Sequence, residues 1–176
     1  DIKDLRSRLG YVPQKGVLFS GTIESNLRFG AREDSMEELN KAADIAQASE
    51  FIAAKDDGMQ SPIAQGGTNV SGGQKQRLSI ARAVAKRPEI YIFDDSFSAL
   101  DYKTDAALRQ ALKKETSEAT TLIVAQRIST ILHADKIMVL DNGNVVGSGT
   151  HKELLKSCEV YQQIAKSQLS KEELEA

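Results

Sequence analysis

The stretch Asn69-Val70-Ser71-Gly72-Gly73-Gln74-Lys75-Gln76-Arg77 decides how the rest of the chain is read. Ser71 is a helix N-cap residue, and Gln74 three positions on can bond back to it, the reciprocal pattern of a capping box. Two glycines directly after the cap leave backbone N–H groups uncovered where the helix dipole is positive. That combination makes an anion site, and phosphate is its usual occupant. Downstream, Leu78, Ala81, Val84 and Ala85 form an apolar face, with Lys75, Arg77, Arg82 and Lys86 at charged or rim positions. A capped amphipathic helix that merely begins with glycines is the competing reading, and the sequel overturns it.

That sequel is Glu89-Ile-Tyr-Ile-Phe-Asp-Asp-Ser-Phe-Ser-Ala-Leu-Asp101. Entered from Pro88, Ile90 to Phe93 is a short continuous apolar run, β-branched and aromatic, and is expected as a strand buried on both faces of a parallel sheet. It ends in Asp94 and Asp95. Ligand chemistry in open α/β sheets sits at the carboxyl ends of strands, so two acids there suit a magnesium ion and a water.

Taken together, Ser71–Gln74, the strand ending in Asp94, and Ser98-Ala99-Leu100-Asp101 resemble the signature motif, Walker B strand and D-loop of an ABC-transporter ATPase domain. Tyr11-Val12-Pro13-Gln14 with Leu18-Phe19-Ser20-Gly21-Thr22-Ile23 resembles the Q-loop region of the exporter branch, and Val124-Ala125-Gln126-Arg127-Ile128-Ser129-Thr130 its switch loop. The likeness runs in family order over essentially the whole chain. It implies an α/β fold: a P-loop NTPase (RecA-like) core with a mostly parallel sheet and an inserted helical subdomain. The implied division is 1–21 for part of the core with the Q-loop, 22–87 for the helical subdomain with the signature, 88–157 for the core with Walker B, D-loop and switch loop, and 158–176 for a C-terminal helix and tail.

The family's aromatic adenine-stacking loop and Gly-rich phosphate loop ending in Lys-Ser or Lys-Thr have no counterpart in this sequence. Gly16 to Thr22 has two glycines at suitable positions, but Thr22 stands where the lysine should be, and without that charge β- and γ-phosphates are not neutralised. The resemblance therefore implies an N-terminally truncated domain, inactive as an isolated fragment, with strand edges and apolar surface exposed.

Bulk properties bound the rest. A chain of 176 residues allows one domain with a real core. A net charge of −2 gives no mark of a nucleic-acid binder. The single cysteine, Cys158, excludes an internal disulfide framework and fits a reducing cytosol. No apolar stretch approaches the roughly 20 residues that cross a bilayer, and the first residues are no signal peptide.

In chain order, residues 1–6 read as a connecting turn and Leu9 to Val12 as a strand. A short helix is expected from Thr22 to Leu27, closed by Arg28-Phe29-Gly30. Ser35 and Glu38 form a second capping box before Met36, Leu39, Ala42, Ala43 and Ala46, and a break near Ser49 leads into Glu50–Lys55, stopped by Asp57-Gly58. Ser61 to Asn69 reads as a loop. Asp101 caps a helix carrying Ala107, Leu108, Ala111 and Leu112 inward. Strands follow at Thr121–Ala125 and Lys136–Leu140, with Asp141-Asn142-Gly143-Asn144 as a hairpin turn into Val145. Thr150 and Glu153 make a third capping box, opening one helix from about Lys152 through Lys166, and the tail from Ser170 is expected to fray. His133 and His151 are expected as solvated surface histidines.

The resemblance implies roles for single residues. Two such domains pack head to tail with ATP between them, so one chain contributes to two half-sites. Ser71, Gly72, Gly73 and Gln74 would contact the γ-phosphate of the partner's ATP, with Ser98, Ala99, Leu100 and Asp101 as the D-loop. Asp94 and Gln14 would hold Mg²⁺. Asp95 stands where the family has the glutamate that polarises water, and Gln126 where it has a histidine on the γ-phosphate; Asp95, Gln126 and Gln14 are thus the candidate catalytic set. Aspartate is one methylene shorter, and glutamine carries no positive charge and takes up no proton. An intact signature beside two departures resembles one half of a heterodimeric exporter, a slow homodimer being the alternative. The implied partners are a second ABC ATPase domain and, through the Q-loop and residues 65–70, transmembrane domains, which would place the chain at the cytoplasmic face of a membrane. In the 65–70 stretch Gln65 replaces the usual glutamate. A soluble non-transport ABC ATPase, an importer ATPase and a non-catalytic interaction fragment remain the competing classes.

Overall fold

The computed structural model describes residues 1–29, 35–170 and 174. The expected closing turn at Gly30 and most of the tail beyond Ser170 lie outside these described residues. The chain forms two compact units, Asp1–Val124 and Ala125–Ala176.

The first unit runs α1 (Ile2–Ser7), β1 (Leu9–Val12), β2 (Gly21–Thr22), α2 (Ile23–Arg28), α3 (Met36–Ile45), α4 (Ser49–Ala53), β3 (Pro62–Ile63), α5 (Gly72–Ala85), β4 (Ile90–Asp94), α6 (Tyr102–Glu115) and β5 (Thr120–Val124). Strands β1, β4 and β5 form a parallel sheet in that order, in registers that pair Leu9 with Ile90 and Ile90 with Thr120. Val12, Tyr91 and Phe93 turn one face into a core shared with Leu78, Ile80, Ala81, Leu108 and Leu112. The other face is open: Tyr11, Leu122 and Val124 are exposed, and Ile90 and Ile92 are half-buried. The expectation that β4 is buried on both faces is therefore corrected. Only alternate residues of the strand reach a packed layer, because α5 and α6 contribute their core residues to one side.

Helix α5 is more deeply seated than its pattern predicts. Gln76, Ser79, Ile80 and Ala83 are buried alongside the expected Leu78, Ala81, Val84 and Ala85. Arg82, read from the sequence as a rim position, lies against α2 and the loop before it. Its guanidinium donates to the Asn26 and Val17 carbonyls and to Asn26 Oδ1 at 2.7–2.9 Å and sits 5.1 Å from the Phe19 ring centre. Asn26 in turn brackets Phe19, accepting from its N–H at 2.9 Å and donating to its carbonyl at 2.8 Å. A half-buried charge held this way has its donors met by fixed carbonyl oxygens.

Two local expectations in this unit are revised. Residues 2–7 are a helix rather than a turn, because the Asp1 carboxylate accepts from Lys3 N–H and caps it. The 61–69 loop contains β3, whose Pro62 and Ile63 pair antiparallel with Thr22 and Gly21. The Ser35–Glu38 and Ser71–Gln74 capping boxes are both present, and Thr22–Ser25 forms a further one.

The second unit runs α7 (Ile128–Ile131), β6 (Ile137–Asp141), β7 (Asn144–Gly149), α8 (His151–Ser157) and α9 (Glu159–Gln168). Strands β6 and β7 form the expected hairpin, and Asn142 and Gly143 take φ of 46° and 78°, the left-handed pair that a two-residue Asn-Gly turn demands. Ile128, Ile137, Val139, Leu154, Cys158, Tyr161 and Ala165 make its own small core. The single C-terminal helix expected from Lys152 to Lys166 is two helices, broken where Cys158 adopts extended backbone angles. His133 is exposed, as expected, but His151 is not a solvated surface residue. It is buried, its Nδ1 lies 2.7 Å from the Tyr161 hydroxyl, and its Nε2 has no partner among the described residues. Position in a first helical turn did not reveal that this turn faces α9.

Candidate functional site

Two places in the first unit hold most of the residues singled out in the sequence. One is the start of α5. Ser71 takes extended angles (φ −67°, ψ 162°), its hydroxyl accepts from Gln74 N–H at 3.2 Å, and Gln74 Oε1 accepts from Ser71 N–H at 3.1 Å. The box thus consumes the Gln74 donor. The N–H groups of Gly72 and Gly73, in the first turn, have no intrahelical acceptor by geometry. A Cβ on Gly72 would meet nothing within 4 Å, and one on Gly73 only ordinary contacts, 3.5 Å to the Ala99 carbonyl and 3.9 Å to Leu100. Neither glycine is needed for this unit's own packing, and neither has φ in the left-handed region. The smallness of the two residues leaves the helix end uncovered.

The same contacts bring the expected D-loop against the signature. Ser98 Oγ donates to the Asp95 carbonyl at 2.9 Å, Leu100 is buried, and Asp101 caps α6 by accepting from Thr104 N–H at 3.0 Å. The Thr104 hydroxyl and N–H hold the Asp101 carboxyl below its ordinary range.

The other place is the carboxyl end of β4. Asp94 and Asp95 are both half-buried, and each accepts a hydrogen bond from β1 or the residues just after it. Tyr11 Oη donates to Asp94 Oδ2 at 3.1 Å, and Gln14 Nε2 donates to Asp95 Oδ2 at 3.1 Å. The bond to Asp94, with burial and the carboxylate charge behind it, raises the Tyr11 phenol and keeps it protonated as a donor. Asp95 has φ +44° and its N–H donates to the Val124 carbonyl at 2.8 Å. Among residues with a Cβ, aspartate and asparagine are the ones that enter this region most readily. Ser96, fully buried, donates to the Val12 carbonyl at 2.9 Å and ties the turn back to β1.

Gln14 itself is exposed, but the loop bearing it is pinned from below by Gln76 of α5. The buried amide donates to the Pro13 carbonyl at 3.1 Å and accepts from Gly16 N–H at 2.9 Å. Gly16 must be a glycine: a Cβ there would lie 2.8 Å from Ser79 Oγ and 3.0 Å from the Lys75 carbonyl. Gln76 and Tyr11 are the positioning groups that sequence reading left without a role. A signal existed for Gln76, a polar residue one turn into an apolar helix, but its partners lie about sixty positions away.

Gln126 belongs to the second unit. Its side chain is exposed, and its carbonyl accepts from Gln168 Nε2 at 2.8 Å, which fixes the backbone two residues beyond β5. Gln65 is exposed in a single helical turn whose glycines, Gly66 and Gly67, have φ of 66° and 68°. Asn69 closes that loop, accepting from Ala64 N–H at 2.9 Å and donating to the Pro62 carbonyl at 2.8 Å.

As a metal site, Asp94, Asp95 and Gln14 offer hard oxygen donors, and no group of three His, Cys, Asp or Glu suited to a metal occurs among the described residues. This donor set fits Mg²⁺, which is typically held by one or two carboxylates with phosphate and water completing its shell, and not a self-sufficient protein cage. A small groove of about 80 Å³ between Glu38, Lys41, Arg87 and Glu115 lies among other residues and is well below the roughly 300 Å³ of a ligand cleft. No described helix is long and apolar enough to cross a membrane.

Comparison with known proteins agrees with the motif order. Residues 1–98 match the family model described as ABC transporter. The chain is 49% identical over 167 residues to an uncharacterized ABC transporter ATP-binding protein of Mycobacterium tuberculosis, covering 93% of this chain and 28% of that protein. It is 42% identical over 160 residues to a putative multidrug export ATP-binding/permease protein of Staphylococcus aureus, covering 91% and 28%. Among solved structures, that of a bacterial Atm1-family ABC exporter with ATP bound superposes with a TM-score of 0.91 at 38% identity, covering 94% of this chain and 29% of that one. The chain spans less than a third of the length of these relatives.

Proposed function

The chain belongs to the ABC transporter family, and on that premise we propose that it is the ATP-binding and hydrolysing part of an exporter, working by ATP-driven pairing with a second ABC ATPase domain. The observation that carries this reading is the open start of α5: a capped helix whose first two residues are glycines that its own packing does not require. Ser71, Gly72, Gly73 and Gln74 contact the γ-phosphate of ATP held by the partner, through first-turn N–H groups and the positive end of the dipole. Of the D-loop residues Ser98, Ala99, Leu100 and Asp101, the middle two lie beside this end, and the loop follows it into the pairing surface.

On the chain's own side, Asp94 and Gln14 would hold Mg²⁺, which would supply neutralisation of phosphate charge. Asp95 accepts a proton from the attacking water and Gln126 donates a hydrogen bond toward the γ-phosphate. Each does so less well than the longer acid and the imidazole of the family pattern, so this half-site is slow and the pair is a heterodimer with a competent second site. Transmembrane domains contact the Q-loop and residues 65–70, which places the chain at the cytoplasmic face of a membrane; nucleic acid has no part in it. The four-part division at residues 21, 87 and 157 belongs to the same reading.

The test is Gly73→Asp in the full-length protein. Aspartate near a helix N-terminus favours the helix and its Cβ fits, so folding is retained while phosphate is repelled. ATP-dependent pairing of the two ATPase domains, followed by cross-linking, is expected to be lost. Pairing that survives this change rules out the signature role.

A further inference from the structure

We propose that Tyr11 is a positioning residue that holds the Asp94 carboxylate in register for the metal, an inference that rests on Asp94 being the metal-binding acid. Sheet geometry makes the pair. Tyr11 is registered with Ile92 across β1 and β4, and Asp94 lies two residues further along β4, on the same face. The two are thus diagonal cross-strand neighbours, a separation of about 7–8 Å that an aromatic side chain spans. The phenol does span it, donating to Asp94 Oδ2 at 3.1 Å.

An ionised carboxylate only accepts, so the donor must come from outside it. With Oδ2 taken by the phenol, rotation about the last bond of Asp94 is restrained and Oδ1 is the oxygen presented to an ion. Partners of this kind, standing behind a metal-binding carboxylate, set its direction and commonly carry about tenfold or more of the metal affinity. Tyr11 is 55% exposed, so burial does not explain where its ring points. Loss of the hydroxyl alone therefore removes the bond without opening the core.

Mn²⁺ is the probe, titrated by electron paramagnetic resonance into full-length protein saturated with ATP. Tyr11→Phe is expected to weaken Mn²⁺ binding at this chain's site about tenfold while ATP affinity without divalent metal and the melting temperature stay at parent values. Asp94→Asn is expected to abolish that Mn²⁺ signal. Unchanged Mn²⁺ affinity in Tyr11→Phe, with the loss in Asp94→Asn intact, overturns the role of Tyr11 and leaves the proposed function standing. If Asp94→Asn also keeps full Mn²⁺ affinity, the metal role of Asp94 fails and the inference falls with it. An equal drop in metal-free ATP affinity in Tyr11→Phe points to a merely structural hydroxyl and likewise overturns the proposal.

Discussion

On the function proposed above, the start of α5 and the end of β4 would serve opposite charges, and they are made of opposite materials. At α5 the working groups are backbone N–H donors, and what matters is the absence of side chains at Gly72 and Gly73. At β4 the working groups are side chains, and each acid is steadied by a residue from β1 or its exit, about eighty positions away. A site of backbone and glycine tolerates little substitution, because any added atom fills it. A site of side chains can drift by single methylenes, and the function proposed above takes Asp95 to be such a departure from the family pattern.

The sharpest way to break this contrast is to reverse the drift. Asp95→Glu together with Gln126→His in the full-length protein is expected to raise ATP turnover at this chain's site by up to about 100-fold, the scale set by ~1 Å of misplacement. The two changes are expected not to multiply, since both act on one water. A double variant no faster than the parent would mean that the acid end is not degenerate.

At the other end the expected effect is smaller. Ser71→Ala removes the cap that organises the first turn and should lower stability by about 1 kcal/mol, a typical N-cap loss, readable in a denaturant midpoint. A loss of ATP-driven pairing much larger than this stability change would separate anion binding from helix capping at the same residue.

The second unit supplies the mildest probe, a buried polar pair for which neither phosphate nor metal is proposed. Burial lowers the His151 pKa, with His133 and Lys152 adding like-charge repulsion. A histidine depressed in the folded state contributes stability that is complete above its unfolded value near 6.5 and is lost as pH falls through the folded value. Melting temperature measured from pH 7.5 down to 5 should therefore fall more steeply for the parent than for His151→Gln. Parallel curves would mean that the ring is accessible to water.

What could be read in advance follows the same division of materials. The three expected capping boxes, the Asn142-Gly143 turn and the strand Leu9–Val12 are local patterns, and each stands where the sequence puts it. So does the place of Asp94 at the strand exit. Hidden were the features that depend on which distant segment lies alongside: Tyr11 diagonal to Asp94, Gln76 under the Gln14 loop, Arg82 inside the helical layer, His151 against Tyr161. None of these pairings leaves a trace at a fixed spacing. The one-faced burial of β4 is of the same kind, since a continuous apolar run does not say how many layers cover it.

Gln76 deserves its consequence. Its two bonds join the second turn of α5 to both flanks of Gln14 and Lys15, in a place too tight for any residue but glycine at position 16. Helix and loop are thereby tied together, so a shift of the second turn of α5 would be passed on to the loop whose Gln14 amide holds Asp95.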